Sequence, residues 1–390
     1  MSAVSGGLVV QRNRLLICSD WFAPGYRAGG PIRSVVNLTR LLADVAEVRV
    51  LTGGRDLGES RTYDGVAVDT WVRWSGCADV FYGSSGAPRR RQFLEQLRND
   101  TPAALYLNSM FSWSGALWPL LILLLWYRDV RVVLAPRGML KPSALYRKFW
   151  KKAPVLRFLR GLGLTQRVLF HATSEDEVLE IQQQFPGARI ALVPNVPQWP
   201  ADVLPERGPD DGVLKLVLVG RIHPIKNVHI AIESLRGLSV PCELVLVGPA
   251  EDAAYESRCR QLAGELGGAA RVVFAGALDE RAVREQLIRA DALILPTQGE
   301  NFGHAIFESF SVGTPVIISD CTIWRNLADK QAGWDLPLDE PGAFARAVRA
   351  LSSTGPEARL RLREGALSVA RSFVEQQNFV GDYRRLFGLP

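Results

Sequence analysis

The chain has 390 residues, a length that favours two domains because one domain usually has about 150 residues. Apolar residues make up 47% of the chain, charged residues make up 22%, and the net charge is +6, a composition that excludes an intrinsically disordered protein. The cysteines are odd in number and far apart, which excludes a disulfide framework and a cysteine-based zinc site and favours a reducing, cytoplasmic location; they are Cys18, Cys77, Cys242, Cys259 and Cys321.

Short runs rich in β-branched residues alternate with helical patterns along the chain. The first twenty residues lack the charged start, apolar middle and small-residue cleavage site of a signal peptide. The first half is then predicted to contain buried strands at 14–20, 47–52, 103–108, 131–136 and 167–174.

The longest apolar run of the sequence lies within this first half. It covers residues 116–127 and contains Pro119. A transmembrane helix needs about 17–25 residues, so this run is too short to cross a bilayer. We expect a buried or interfacial helix here.

The second half repeats the strand pattern more regularly. Its predicted strands lie at 214–220, 243–248, 271–276, 292–297 and 315–320. Nearly continuous apolar strands that alternate with helices are typical of parallel sheets covered on both faces. Each half is therefore predicted to be a doubly wound α/β domain.

A segment rich in proline, glycine and aspartate, residues 193–212, separates the two halves and is predicted to be a linker. We place an N-terminal domain at 1–198, a C-terminal domain at 199–375 and a last helix at 376–390 that packs back across the domain boundary. The predicted fold is two Rossmann-like domains facing across a cleft. Ligands of such sheets bind beyond the carboxyl ends of the strands, so residues that directly follow strands are the candidates for function.

Several nucleotide-binding signatures are missing from the sequence. The string nearest to G-x-G-x-x-G, at 161–166, lacks the third glycine and precedes a strand. The sequence also contains no P-loop and no D-x-D pair, and its four histidines are scattered. These absences argue against a dinucleotide-dependent oxidoreductase, a P-loop NTPase and a transferase that depends on a D-x-D metal site, and no metal site is predicted.

The string GRIHPIKN at 220–227 follows the first strand of the second half. Gly220 is expected to let the chain turn sharply, and Arg221 and Lys226 are two cations on a loop that leads into a helix near Asn227. Such cations beside a helix N-terminus are suited to a diphosphate. A solvated loop with ordinary surface charges is the alternative.

The string GENFGHAIFESF at 299–310 follows the strand at 292–297. Glu300 and Glu308 are eight residues apart, which is at most about 12 Å if the segment is helical throughout. The backbone amides of Phe302 and Gly303 would then face an anion between the two carboxylates. A solvated helix face is the alternative for such a pair of glutamates.

The second half resembles the donor domain of the group 1 retaining glycosyltransferases, which have the GT-B fold. The resemblance rests on G-R-x(4)-K at 220–226, on E-x-F-G-x(4)-E at 300–308 and on G-x-P-V-I at 313–317. In the first half, the loop at 21–38 resembles the glycine-rich loop of that family, with Gly29 and Gly30 at the positions that approach the donor and acceptor.

The resemblance implies a role for each matching residue. Arg221 and Lys226 would bind the donor diphosphate and stabilise the charge of the leaving nucleotide, and Glu300 would contact the transferred sugar; these three form the predicted catalytic set. The remaining predicted donor-binding residues are Gly220, Leu278, Asn301, Phe302, Gly303 and Glu308, with Glu308 on the ribose and Leu278 near the base. The family reaction retains anomeric configuration and generally needs no metal, so no cofactor is expected.

The first half departs from the family at one position. Many members place a histidine after the strand that corresponds to 131–136, where this chain has Arg137. Arg137 would replace that histidine as a charge stabiliser or acceptor contact, or it would belong to a basic surface. His171, after the next strand, is expected to be structural.

Residues 131–174 contain ten basic and no acidic residues. Within them, the segment from Lys141 to Gly163 (residues 141–163) interleaves Lys and Arg with aromatic and aliphatic residues, a pattern typical of a helix on an anionic membrane surface. A solvated helix face is the alternative, and nucleic acid is not an expected partner.

The sequence therefore predicts a retaining, metal-independent glycosyltransferase that moves a sugar from a nucleotide-diphosphate sugar to a glycan or lipid-linked acceptor. Its expected place is the cytoplasm, peripheral to the inner face of the membrane, in cell-surface or exopolysaccharide synthesis. Two alternatives stay open: a nucleotide-sugar epimerase or soluble glucan synthase of the same fold, and a catalytically silent sugar-nucleotide-binding subunit.

Overall fold

The computed structural model describes residues 11–127, 130–142, 145, 149–209 and 211–390. The chain divides into two compact units. The first unit comprises Met1–Val196 together with Asn378–Pro390, and the second comprises Pro197–Gln377.

The described part of the first unit contains an eight-stranded sheet in the order β3-β4-β2-β1-β5-β6-β7-β8. All neighbouring strands in it are parallel except β3 and β4, which are antiparallel. In chain order the strands are β1 (Gln11–Cys18), β2 (Glu47–Gly53), β3 (Trp71–Trp74), β4 (Ala78–Gly83), β5 (Pro102–Leu107), β6 (Arg131–Leu134), β7 (Val168–Ala172) and β8 (Arg189–Leu192).

Helices pack against this sheet and bury their apolar faces. In α1, for example, the buried side chains Ile32, Val35, Val36 and Leu38 recur at helical spacing. The described helices are α1 (Gly30–Leu41), α2 (Gly86–Asn99), α3 (Trp118–Trp126), α4 (Phe149–Gly161), α5 (Leu164–Arg167) and α6 (Glu175–Gln184).

The second unit has a six-stranded parallel sheet in the order β11-β10-β9-β12-β13-β14 among its described residues. Its strands are β9 (Leu214–Val219), β10 (Cys242–Val247), β11 (Ala270–Gly276), β12 (Ala292–Leu295), β13 (Val316–Ser319) and β14 (Gly333–Leu336). Its helices are α7 (Val228–Glu233), α8 (Ala253–Gly264), α9 (Glu280–Arg289), α10 (His304–Ser311), α11 (Ala343–Ser352) and α12 (Pro356–Glu375).

The last helix, α13 (Phe379–Phe387), belongs to the first unit although it follows the second in sequence. The guanidinium of Arg131 donates from Nε to the carbonyl of Leu386 at 2.9 Å. The hydroxyl of Tyr383 donates to the carbonyl of Pro194 at 3.0 Å. The chain thus enters the second unit at residue 197 and returns to the first at residue 378.

All ten predicted strands are present, and four further strands were missed: β3, β4, β8 and β14. The missed pair β3–β4 forms an antiparallel hairpin, so the sheet of the first unit is not wholly parallel as predicted. Three of the missed strands have only four residues and are half-exposed over most of their length, so they lack the continuous apolar run used to find the others.

The long apolar run folds as predicted for a buried or interfacial helix. A π-helical turn at Trp113–Leu117 leads into α3, in which Leu120, Leu123 and Leu124 are buried while Leu125 and Trp126 are exposed. Among the residues that the structure describes, no helix combines the length and apolarity needed to cross a bilayer.

Candidate functional site

The carboxyl edge of the sheet in the second unit collects most of the predicted donor residues. Strands β10 and β11 lie on one side of β9, and β12 and β13 lie on the other, so the chain changes direction between β9 and β12. Such a switch point is where ligands of doubly wound sheets bind. The loops that follow β9 and β12 carry Lys226 and Glu300.

Hydrogen bonds fix the loop after β9 against the loop after β12. The amide of Gln298 donates to the carbonyl of Ile225 at 2.8 Å, and Asn227 Nδ2 donates to the carbonyl of Pro296 at 2.9 Å. Asn227 has a left-handed backbone (φ 48°) and ends the 3₁₀ turn Pro224–Lys226. The anchored turn presents the ammonium of Lys226 to Glu300.

Lys226 Nζ and Glu300 Oε1 form an ion pair that is largely withdrawn from solvent, since their side chains are 14% and 15% exposed. The sequence predicted separate roles for these residues, with Lys226 on a diphosphate and Glu300 on a sugar. The structure brings them into direct contact. A ligand that binds the Lys226 ammonium must therefore share it with the Glu300 carboxylate or displace that carboxylate.

Arg221, the second predicted cation, has a different partner. Its Nη1 donates to Glu251 Oε2 at 2.6 Å, and Glu251 is attached to the same loop through its amide, which donates to the carbonyl of Ile222 at 3.3 Å. Glu251 was not predicted from the sequence, although its position just after β10 places it at this edge. Gly220 lies at a bend of the backbone directly after β9, but it has no left-handed φ, and the methylenes of Lys226 pass within 3.6–3.8 Å of where its Cβ would lie.

Helix α10 begins at His304, so the segment that holds Glu300 is not helical throughout as the 12 Å estimate assumed. Gly303 stands at its N-cap with φ 78° and ψ 59°, a left-handed conformation, and an added Cβ would lie 3.0 Å from Ile306 Cδ1. Gly303 also has no side chain with which to cap the first turn of α10. The backbone N–H groups of that turn therefore lack a side-chain cap from this residue.

The side chain of Phe302 packs into the core instead of lining a site. It is 2% exposed and contacts an aromatic cluster with Phe307, Trp324 and Phe373. The indole Nε1 of Trp324 donates to the Phe302 carbonyl at 2.8 Å. This packing fixes the backbone at the start of α10, so the contribution of Phe302 to a ligand is limited to its main chain.

The remaining predicted donor residues lie at the same edge. Glu308 is in α10, five residues or about 7.5 Å along the axis from Gly303, and it is 8% exposed. Asn301 lies between Glu300 and Phe302 in the loop after β12. Leu278 is half-buried in the loop that joins β11 to α9.

In the first unit, the glycine-rich loop leads into α1. Gly29 is the N-cap of this helix with φ 63° and ψ −120°, a conformation that side-chain-bearing residues avoid, and Gly30 is the first helical residue. Asp56 fixes the loop because its Oδ2 accepts from the amides of Tyr26 and Arg27 at 2.8 and 3.1 Å.

Arg137 follows β6, where it has a left-handed backbone with φ 56°. Its Nε donates to Asn108 Oδ1 at 2.8 Å, one Nη donates to Asn195 Oδ1, and the other donates to the Tyr106 hydroxyl at 2.6 Å. Asn108 Nδ2 in turn donates to the carbonyl of Pro31 at 3.3 Å, next to Gly30. Asn108 thereby connects Arg137 with the start of α1. None of the three partners of Arg137 was predicted from the sequence.

His171 is a structural histidine, as expected. It is fully buried, its Nε2 lies 2.8 Å from the carbonyl of Val193, and its Nδ1 lies 2.9 Å from the Tyr106 hydroxyl. A carbonyl only accepts, so Nε2 carries the proton and Nδ1 accepts from Tyr106. Burial, together with the charge of Arg137, lowers the pKa of His171 to about 3 and keeps it neutral.

Helix α13 packs against Tyr106 and His171. Phe387 stacks edge-on against Tyr106 with ring centroids 5.3 Å apart, and Tyr383 meets His171 in the same way at 5.6 Å. Burial raises the pKa of Tyr106 to about 12, so its hydroxyl stays protonated. The C-terminal helix therefore fixes the position of Tyr106, which accepts a hydrogen bond from Arg137.

Part of the predicted membrane segment, residues 143, 144 and 146–148, lies outside the described residues. In α4, Leu156 and Leu159 are buried, whereas Trp150 and Phe158 are 72% and 56% exposed. Lys152 Nζ lies 5.1 Å from the ring centre of Phe111. The described part of this segment thus combines exposed aromatic and basic side chains.

No cluster of three or more histidine, cysteine, aspartate or glutamate side chains suited to a metal ion occurs in the described part of the chain. The absence of a metal requirement stays a prediction.

Residues 204–368 match the family model described as "Glycosyl transferases group 1". This match lies wholly within the second unit and spans less than half of the chain. A D-inositol 3-phosphate glycosyltransferase of Acidothermus cellulolyticus is 31% identical to the chain over 175 residues, which are 42% of this chain and 38% of that protein. The match thus spans less than half the length of this curated relative.

Solved structures are similar to this chain over almost its whole length. Sucrose-phosphate synthase of Thermosynechococcus elongatus has a TM-score of 0.73 at 16% identity and covers 97% of this chain and 100% of its own. HepE of Anabaena, solved in complex with UDP-glucose, has a TM-score of 0.67 at 15% identity over 96% of this chain and 98% of its own. These similarities show the fold: two Rossmann-like domains, as in GT-B glycosyltransferases.

Proposed function

We propose that this protein is a retaining, metal-independent glycosyltransferase that moves a sugar from a nucleotide-diphosphate sugar to a glycan or lipid-linked acceptor. The observation that carries this proposal is the largely buried Lys226–Glu300 ion pair. It lies at the switch point between β9 and β12, beside the start of α10. A cation, a carboxylate and a helix N-terminus at one sheet edge supply groups for the phosphates and for the sugar hydroxyls.

The Lys226 ammonium is suited to the donor diphosphate. A diphosphate brings more negative charge than the Glu300 carboxylate, and the amides of the first turn of α10 add partial positive charge nearby. Donor binding would therefore draw Lys226 towards the phosphates and leave Glu300 to accept hydrogen bonds from the transferred sugar. Glu308, farther along α10, would accept from the ribose hydroxyls.

Charge stabilisation is the proposed catalytic contribution of this edge. When the bond between the sugar and the diphosphate breaks, negative charge builds up on the leaving phosphate, and cations in place beforehand stabilise it most. Lys226 is nearly withdrawn from water, which strengthens its interaction with that charge. Arg221 is more exposed and shared with Glu251, so its contribution is expected to be smaller.

The acceptor is proposed to be part of a cell-surface or exopolysaccharide glycan that is presented at the inner face of the cytoplasmic membrane. Exposed Trp150 and Phe158 on α4, among basic residues, support attachment of the first unit to an anionic lipid surface. This attachment would bring a lipid-linked acceptor to the enzyme.

Binding of nucleotide sugars to the 390-residue chain tests the donor assignment. UDP-glucose is the first candidate because HepE was solved with it, and GDP-mannose and ADP-glucose complete the panel. We expect one of them to raise the Tm of the wild type without added metal, and the Lys226→Met variant to lose that increase.

The matched control is Lys215→Met, which removes a lysine at the opposite end of β9 that pairs with Asp211. It should keep the full increase in Tm. If the wild type responds to no nucleotide sugar, or if both variants respond alike, the donor assignment is wrong.

A further inference from the structure

Arg137 differs from some of the other buried or half-buried arginines of this chain in the kind of partner it has. Arg14, for example, pairs with Glu47 and Asp100 at the amino edge of the same sheet, and Arg207 pairs with Asp291. Arg137 is held by two amide oxygens and a hydroxyl, all of them neutral. Within the described residues, no carboxylate lies at ion-pair distance from its guanidinium.

Neutral acceptors orient a guanidinium but do not compensate its charge. Withdrawal of an unpaired charge from water is costly, and proteins usually place a carboxylate beside such a cation. Here the fold uses Asn108, Asn195 and Tyr106 at that position. These hydrogen bonds therefore fix the orientation of the half-buried guanidinium, and its charge stays available to a ligand.

Among the described residues, the nearby titratable groups do not form an ion pair with the guanidinium. Tyr106 keeps its proton because burial raises its pKa to about 12, and His171 is neutral. Glu177 lies behind the turn, where it accepts from the amide of Gly138 at 2.7 Å and from the amide and hydroxyl of Thr173 at 2.8 Å each. Its carboxylate is bonded to the backbone beside Arg137 and not to the guanidinium.

The position of Arg137 is that of a ligand contact. It follows β6, next to β5, and β5 and β2 flank β1 at the point where the sheet of the first unit changes direction. Asn108 joins it to the first turn of α1, beside Gly29 and Gly30. Arg137 therefore lies at the ligand-binding edge of its own domain.

We infer that the first unit has an anion site at Arg137 that takes a phosphate group of the acceptor, in which the guanidinium, aimed by Asn108, Asn195 and Tyr106, pairs with the phosphate oxygens. This inference rests on the proposed function, since it names the acceptor as a phosphate-bearing molecule. The planar guanidinium is suited to two phosphate oxygens at once.

The test measures the effect of phosphate on the Tm of the full-length protein. Lys226→Met is introduced first, so that phosphate cannot act through the donor lysine. In that background we compare Arg137→Gln with Arg157→Gln, which removes an exposed arginine of α4 and is the matched control. Sodium chloride of equal ionic strength separates site binding from screening.

We expect 50 mM inorganic phosphate to raise the Tm of Lys226→Met and of the Arg157→Gln double variant by about 2–4 °C. The Arg137→Gln double variant should show no increase. Arg137→Lys is the second variant. It keeps the positive charge but loses the planar guanidinium, so phosphate should raise its Tm by a smaller amount. An equal increase in all variants, or none in Lys226→Met, overturns the inference.

Two phosphate esters distinguish the source of the group. Geranyl diphosphate represents a lipid-linked acceptor and glucose 1-phosphate a soluble sugar phosphate, and an Arg137-dependent increase with either one supports the inference. Wild-type binding of UDP-glucose is measured in parallel. If the wild type binds the donor but phosphate has no Arg137-dependent effect, only this inference is refuted. If the wild type does not bind the donor, the proposed function is refuted.

Discussion

Lys226 and Arg137 occupy similar places in two domains of the same architecture, since each follows a strand at the carboxyl edge of its sheet. Their surroundings differ. Lys226 is paired with the carboxylate of Glu300, whereas Arg137 is held by neutral side chains. A paired cation must share its charge with its ligand or exchange partners when that ligand binds, whereas a cation without a carboxylate partner can accept an anion directly. The comparison indicates two sites that recognise negative charge in different ways.

The largest expected effect is on the donor side. Lys226→Met should lower kcat by about 10²–10³-fold, because loss of one group that stabilises developing charge costs about that much. Initial-rate measurements with saturating donor check this, with Lys215→Met near wild-type activity as control. Activity within a few-fold of wild type in Lys226→Met would remove Lys226 from the catalytic set.

The next largest effect is expected in the first unit only, without a change in donor binding. Phe387 is fully buried against Tyr106, so Phe387→Ala should lower the free energy of unfolding by about 3 kcal/mol or more. It should also weaken the phosphate response at Arg137 and leave the affinity for the nucleotide sugar unchanged. Chemical denaturation and titration calorimetry measure these quantities. A parallel loss of donor affinity would contradict the separation.

Acid should destabilise the protein through His171, which is hydrogen-bonded to Tyr106, a partner of Arg137. The pKa of His171 falls from an ordinary value of 6.5 to about 3 on folding, so between these values the unfolded chain binds the extra proton. Stability should then decrease as the pH falls below 6.5, by at most about 1.4 kcal/mol per pH unit from this group. Urea denaturation from pH 7 to pH 5 measures the slope.

His171→Gln removes this titration and retains a side chain that both donates and accepts hydrogen bonds. The variant should show a flatter dependence of stability on pH than the wild type. Identical slopes would mean that His171 is not held neutral by the fold.

The smallest effect concerns the membrane. Lys152→Glu replaces a positive charge of α4 with a negative one. It should weaken binding to anionic vesicles by about five-fold or more, since one basic residue near such a surface contributes about 1 kcal/mol. Arg281→Glu, at an exposed position of α9 in the second unit, is the control and should bind as the wild type. Vesicle sedimentation at low salt measures both, and equal binding would favour a solvated face.

Much of the fold was predictable because buried parallel strands leave continuous apolar runs. Three of the four missed strands are short and half-exposed, so their pattern is weak. The donor motifs were predictable because they cluster within a few residues of a strand end. Glu251 and the partners of Arg137 were missed because they come from separate strands and loops, as Tyr106 and Asn195 do, and no local pattern connects them.

By itself, the sequence determined the two-domain α/β architecture, the resemblance of the second half to the group 1 glycosyltransferases and the positions of its charged residues. Only the tertiary structure decided which charges are paired: Lys226 with Glu300, Arg221 with Glu251, and Arg137 with no carboxylate among the described residues. The reason is physical, because strand patterning is local along the chain, whereas the partner of a side chain depends on strand order and on the loops that meet at one sheet edge.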